Sequence, residues 1–516
     1  MIYKKNLEKI RDFYPNKIVG ILLISTVLFA CNNSKNSKTP TEELPNIVFI
    51  MADDMGYGDV GYYNPESAIP TPNMDKLASE GVMFTDAHSP SAVCSPSRYG
   101  LLTGRYSWRT RLKKAVLLGY DEPSLIEKDR MTLASLLKQK GYTSAAIGKW
   151  HVGWNWQTKN GYTLQDDLNS SEDYSGVVKQ NEENIDFSKP ISGGPLDLGF
   201  DYFFGTFGCS TSDPPYAFIE NKHTVGNPSV LIPDSLDVLP GVVKGLMVPD
   251  WSEENVDLEF TKKATAFIDK TQKTQGNKPF FLYLALSSPH IPFLPPNFAK
   301  GKSQEGPRGD LVTVVDWSVG KIMETLEHYN LSKNTLVIVT SDNGPRKGAN
   351  GHLSAGNFKG YKGNIWEGGH RIPFIAKWPD HIKQGSVSND VISLTDMFAT
   401  FSNLTGATAI GGEDSYNVLP SFLGEQLSGA EQQVRIFHSY TGKFAIRKGK
   451  WKLIEGETNR TTSVMNTATT TSIGELYDLS ADPYETTNLW ESRPQKVNEL
   501  SELLLRSKET ESVINL

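Results

Sequence analysis

Four apolar runs in this chain each stop at residues that carry chemistry, and that pattern constrains the fold more than any other feature. Residues 47–51 (Ile-Val-Phe-Ile-Met) lead into Asp53-Asp54, and residues 143–147 lead into Gly148-Lys149-Trp150-His151. Residues 280–286 lead into Ser287-Ser288-Pro289-His290, and residues 336–340 lead into Ser341-Asp342-Asn343-Gly344. Continuous apolar runs of this length suit strands buried on both faces of a parallel sheet, where an alternating pattern would mark a half-exposed one. Amphipathic stretches at 131–140 and 311–329 lie between them; in the second, Leu311, Val314, Val315, Val319, Ile322, Met323 and Leu326 recur at helical spacing. The expected fold is α/β, a mainly parallel central sheet flanked by helices. In such sheets ligands bind beyond the carboxyl ends of the strands. All four runs deliver ionisable or metal-binding side chains there, so one shared site is expected.

The 516 residues carry a formal net charge of −7, which argues against nucleic acid as a partner. An anionic substrate would have to be drawn in by a local cationic pocket. The N-terminus stands apart. Lys4, Lys5, Lys9, Arg11 and Lys17 precede an apolar run at 18–30, and Cys31 follows at once. The run is short for a membrane span, which needs about 20 residues, and has the size of a secretory signal core. Leu28-Phe29-Ala30-Cys31 resembles a bacterial lipobox. That resemblance implies cleavage before Cys31, a lipid on Cys31, and an exported protein anchored to a bacterial membrane, periplasmic or at the cell surface. A plain signal peptide followed by a chance cysteine is the alternative. The expected organisation is a signal peptide at 1–30, a polar lipidated tether at 31–44, a catalytic domain at 45–404 and a smaller domain at 405–516.

Asp53, Asp54, Asp342 and Asn343 offer oxygen ligands, the set preferred by hard cations such as calcium or magnesium. Adjacent acids at a strand end repel each other unless a cation or a proton intervenes. Each motif alone is also compatible with a cap or a turn. A third element joins them: Cys94-Ser95-Pro96-Ser97-Arg98-Tyr99-Gly100-Leu101-Leu102-Thr103-Gly104-Arg105. Pro96 suits the first turn of a helix, and i,i+4 spacing brings Arg98 toward Cys94, with its guanidinium expected over the thiol. Lys149 and His151 are expected on one side of an extended segment. The chain has three cysteines, and no disulfide is expected.

The Cys94 string resembles the signature of type I sulfatases, in which this cysteine is oxidised after translation to formylglycine. Ala52-Asp53-Asp54-Met55-Gly56-Tyr57-Gly58-Asp59 and Ser341-Asp342-Asn343-Gly344 are similar to that family's metal motif, and Gly148-Lys149-Trp150-His151-Val152-Gly153 to its second signature. The resemblance implies a cation, usually calcium with magnesium open, held by Asp53, Asp54, Asp342, Asn343 and the modified Cys94. It also implies a sulfatase-maturing enzyme as a partner. Lys149 would bind sulfate and steady the nucleophile, and His151 would act as base. His290, in Ser288-Pro289-His290-Ile291-Pro292, and Lys362, preceding Glu367-Gly368-Gly369, would contact sulfate oxygens, one of them protonating the leaving alcohol. His290 is favoured as that acid because its ordinary pKa lies near neutrality. Lys359 rivals Lys362. Ser210, or its neighbour Cys209, falls near a substrate-contacting position after the Gly199–Gly205 run, and Trp154 and Trp156 could either stack on sugars or pack internally.

Strand-like pieces at 444–447 and 451–454 and a helix at 495–508 resemble the family's small C-terminal domain, an antiparallel sheet with a packed helix. The expected activity is hydrolysis of sulfate esters, on a sulfated saccharide. A phosphate or phosphonate monoester hydrolase of the same superfamily is the alternative, although the oxygen-only ligands and Cys94 speak against it. An inactive glycan-binding lipoprotein would show broken site residues, and none is broken.

Overall fold

The structure is a computed structural model that describes residues 43–120, 123–164, 174–210, 212–276, 278–456 and 473–514. The signal peptide, Cys31 and nearly all of the tether lie outside the described residues. Residues 44–516 form one compact unit. Among the described residues no helix is long and apolar enough to cross a membrane.

The four apolar runs become the strands Asn46–Ala52, Thr143–Lys149, Phe280–Ala285 and Thr335–Ser341. They lie side by side in a sheet of ten strands, with Tyr202–Thr206 as a fifth parallel member beyond Thr143–Lys149. Phe374–Lys377 adds antiparallel to Thr335–Ser341, and shorter strands extend both edges. Alternate residues of each central strand serve opposite faces, as the two-residue period requires. Ile47, Phe49 and Met51 join Tyr283 and Ile338 in one core. Val48 and Ile50 join Leu284 and Val339 in another. The helices Val256–Gln275 and Pro307–His328 cover the second face, and Leu133–Lys138 and Met397–Thr405 pack on the first. The helix expected at 311–329 begins four residues earlier, at a glycine followed by proline at its first turn. Its apolar stripe is buried as the spacing predicts, Met323 excepted, which is half-buried.

Near the C-terminus, Val434–His438, Phe444–Lys448, Trp451–Ile454 and Glu475–Asp478 form a four-stranded antiparallel sheet, and the helix Pro494–Glu509 packs on it through Val497, Leu500, Leu503 and Leu504. This is the α/β architecture with an added antiparallel sheet that the sequence predicts.

Candidate active site

The register of the central strands continues past their ends and draws the four motifs together. The Asp342 amide donates to the Ala52 carbonyl at 3.1 Å, and the Asp53 amide to the Ser288 carbonyl at 3.0 Å. On the other side, His151 donates its amide to the Phe207 carbonyl at 2.7 Å. Asp53, Asp54, Lys149, His151, Asp342 and Asn343 are fully buried at this end of the sheet. Asp54 and His151 take left-handed backbone conformations, with φ of 70° and 56°. The expected extended Lys149–His151 segment is therefore corrected. The strand stops at Lys149, and the left-handed backbone at His151 breaks the extended run.

Cys94 opens the helix Cys94–Thr103, with Pro96 in the first turn, and is buried. A helix N-terminus favours negative charge. Lys362 Nζ donates to Cys94 Sγ at 3.4 Å, and Asp53 Oδ1 lies 3.6 Å from the same sulfur. Three cations interleave with three carboxylates around it. Lys149 Nζ is 2.6 Å from Asp53, Lys362 Nζ is 2.6 Å from Asp54, and Arg98 Nη2 is 2.7 Å from Asp342. Arg98 also donates to the Lys149 carbonyl at 2.8 Å. Its guanidinium is thus committed to Asp342, with Nε at 3.0 Å and Nη2 at 2.7 Å both donating to Oδ2, because two charge-assisted bonds to a buried carboxylate outweigh contact with sulfur.

The charges tune one another. A hydrogen bond with Cys209 pulls the Cys94 thiol well below its ordinary range, against burial, and Lys149 and Lys362 add to the pull. Burial would raise Asp54, but Lys362 and His290 overcome it and hold the carboxyl below its usual range. Burial raises Asp342, helped by the neighbouring Asp53 and opposed by Arg98. Burial opposes the charge on Lys362, yet Asp54 raises its pKa and keeps it protonated. His290 departs from expectation. Burial, then Lys362, lower it to about 4, so in this pocket it is neutral at pH 7. Its Nδ1 lies 2.7 Å from the Ile291 carbonyl, which fixes the proton there and leaves Nε2 facing Cys209 Sγ at 3.7 Å and Asp54 at 3.9 Å. His151 Nε2 lies 2.7 Å from the Leu117 carbonyl and donates to it, and its buried Nδ1 has no hydrogen-bond partner among the described residues.

The donor set fits a metal ion. Ligand atoms of Asp53, Asp54, Cys94 and His290 lie within 4.8 Å of one another. Asn343 Nδ2 donates to Asp54 Oδ1 at 2.8 Å, and Asn343 Oδ1 is buried with no hydrogen-bond partner. A buried orphan oxygen is costly unless something else takes it.

Every predicted catalytic and metal-site residue thus converges here. Ser210 is buried next to Cys209, its hydroxyl bonded to that of Ser287. Lys359 is bound elsewhere, 3.3 Å from Glu475 and 3.1 Å from Tyr477 Oη, so Lys362 fills the site. Trp154 and Trp156 pack in the core against Phe207 and are not available to stack on a sugar. Sequence reasoning missed the contact of Cys209 with Cys94, the buried Asp213 grouped with His151 and Cys209, and Arg346, 3.7 Å from Asp54. Only Arg346 had a local signal, since it follows the Ser341–Pro345 strand end directly.

A buried sulfur that accepts from Lys362, beside a cage of carboxylates and cations at the carboxyl end of an α/β sheet, fits an ester hydrolase built for an anionic group. Residues 45–407 match the family model described as Sulfatase, and residues 359–510 match that described as N-sulphoglucosamine sulphohydrolase, C-terminal. An N-acetylgalactosamine-6-O-sulfatase of Bacteroides thetaiotaomicron is 32% identical, over 97% of this chain and 99% of the relative. Human arylsulfatase A is also 32% identical, over 86% and 83%. A solved structure from work on glycosaminoglycan metabolism by Bacteroides thetaiotaomicron superposes with a TM-score of 0.77 at 31% identity, covering 91% of this chain and 100% of that one. The chain belongs to the sulfatase family and is a sulfuric ester hydrolase.

Proposed function

We propose that this sulfatase removes O-sulfate from a carbohydrate, with an N-acetylgalactosamine 6-sulfate unit as the first substrate to try. The substrate class is supported by the full-length relative that carries that name. The observation that carries the mechanism is the lysine-gripped Cys94 beside the orphaned Asn343 oxygen. Formylglycine made from Cys94 by a maturing enzyme would supply a hydrated aldehyde as nucleophile, and a calcium or magnesium ion held by Asp53, Asp54, Asp342, Asn343 and residue 94 would acidify it.

The chain's own side chains then divide the work. Lys149 and Lys362 present two fixed charges to the sulfate oxygens, and Arg98 holds Asp342 in place. Such preorganised donors are worth about 3 to 4 kcal/mol each. His151 Nδ1 accepts a proton on the nucleophile side, while Leu117 holds the ring in the required tautomer. Lys362, which keeps its proton in this environment, protonates the leaving oxygen, while neutral His290, its proton held at Nδ1 by the Ile291 carbonyl, has only a lone pair at Nε2 and donates nothing to the ester. This reverses the order of preference drawn from ordinary pKa values. Ser210 lines the same wall as a substrate contact.

The test is sulfate release from N-acetylgalactosamine 6-sulfate by protein co-expressed with a sulfatase-maturing enzyme. Release should vanish in Cys94→Ala and on exhaustive chelation, and return with calcium. Release that survives both treatments would refute the reading. We further propose that Cys31 carries a lipid anchor on an exported protein. Incorporation of a labelled fatty acid that persists in Cys31→Ser would exclude it.

A further inference from the structure

Three of the four cations at the site are closely paired with carboxylates, each at 2.7 Å or less: Arg98 with Asp342, Lys149 with Asp53 and Lys362 with Asp54. Arg346 is different. Its one ion pair among the described residues is the 3.7 Å approach of Nε to Asp54, too long for a hydrogen bond, so the buried Nε has no hydrogen-bond partner there; the side chain is 28% exposed. A guanidinium has five N–H donors in a planar fork, and leaving a buried one unmet is costly.

Nor is Arg346 a loose surface side chain. The Ser354 hydroxyl donates to its carbonyl at 2.7 Å, and the Lys362 amide donates to the adjoining Pro345 carbonyl at 2.7 Å. Farther along the same loop, Glu305 accepts from the Ala349 amide at 3.2 Å, and His352 Nε2 lies 2.8 Å from Asp59. Arg308 ties both acids together, 2.9 Å from Glu305 and 2.6 Å from Asp59. This buried cluster has no part in the chemistry above, but it holds the loop that carries Arg346 against the site.

We propose that Arg346 is a specificity-determining residue that reads a second oxyanion on the substrate, a carboxylate or a further sulfate beside the scissile one. The proposal rests on the sulfatase reading and extends it to polyanionic saccharides. Arg346 and Lys362 share Asp54 as a neighbour, so a group on Arg346 lies within one sugar ring of a sulfate on Lys362. The planar fork matches carboxylate and sulfate oxygens in pairs, which an ammonium cannot do.

The experiment measures binding by calorimetry to protein expressed without maturation, in which Cys94 is unmodified and no turnover intervenes. The probes are a disaccharide with one sulfate, its counterpart with an adjacent uronate, and its counterpart with a second sulfate. The preferred dianion should bind about tenfold more tightly than the monosulfate, and Arg346→Gln should erase that preference while Arg346→Lys keeps part of it. Whichever dianion shows the gain identifies the source of the oxyanion. In the matured enzyme the same substitution should raise KM for that substrate more than it lowers kcat. Equal weakening of all three ligands would put Arg346 on the scissile sulfate, and unchanged affinities would leave it a partner of Asp54; either result overturns the proposal. Failure of the sulfatase reading shows separately, as absence of sulfate release by the matured wild type.

Discussion

Asp54 ties several parts of the site together: Lys362, His290, Arg346 and Asn343 all lie against it. Asp54→Asn keeps the shape and removes the charge. It should weaken calcium binding by more than the ~10- to 100-fold that loss of an outer hydrogen-bond partner typically costs. Calorimetric titration checks this, and unchanged affinity would remove Asp54 from the ligand set. Cys94→Ala should abolish turnover yet leave the unfolding midpoint close to that of the wild type, since the side chain it removes is small. The two acids and the Asp342-Asn343 pair were readable because each ends an apolar run. Cys209 and Arg346 were harder, because their roles depend on contacts with residues more than a hundred positions away. The reading of His290 as the acid rested on its ordinary pKa. An ordinary pKa ignores burial first, and then the ammonium of Lys362 beside the ring.

At the scale of elements, the short helix Glu367–His370 fastens the Lys362 loop to the C-terminal sheet. The Gly368 amide donates to the Lys359 carbonyl at 2.8 Å, and Glu367 takes Lys452 of the strand Trp451–Ile454 at 2.8 Å. Lys452 also pairs with Glu485 at 2.8 Å, and all three side chains are buried. Lys452→Met leaves Glu485 a buried acid without its cation, while Glu367 keeps Arg371 at 2.9 Å, and should cost about 3 kcal/mol, the range seen when one partner of a buried pair is removed. Adding Glu485→Gln should recover part of the loss. Urea denaturation of the single and double variants measures both steps, and a single variant as stable as the wild type would contradict the account. The apolar runs revealed four central strands because buried parallel strands leave a continuous signature. Tyr202–Thr206 was not foreseen as the fifth, being only five residues long with a glycine inside. The two-residue edge strands carry too little pattern to read at all.

Over the whole molecule, buried histidines set the acid limit. Burial lowers His438, at the end of the strand Val434–His438, to about 4. An unfolded histidine titrates near 6.5, so between the two values the unfolded chain holds the extra proton and stability falls as pH falls. From pH 7 to 4.5 this one group should cost about 2 kcal/mol. His438→Gln should flatten that part of the stability–pH curve by a similar amount, as followed by urea unfolding at the two pH values; an unaltered slope would mean that His438 is not held neutral. The convergence of residues 53, 94, 149, 290, 342 and 362 on one buried spot is what makes the chain a sulfatase in physical terms, and it puts the whole burden on position 94. The direct test is the mass of the tryptic peptide containing residue 94, taken from protein whose sulfate release has just been measured. The account predicts an aldehyde in place of the thiol, in a fraction that tracks specific activity from one preparation to the next. Full activity in protein whose residue 94 is wholly unmodified cysteine would contradict it.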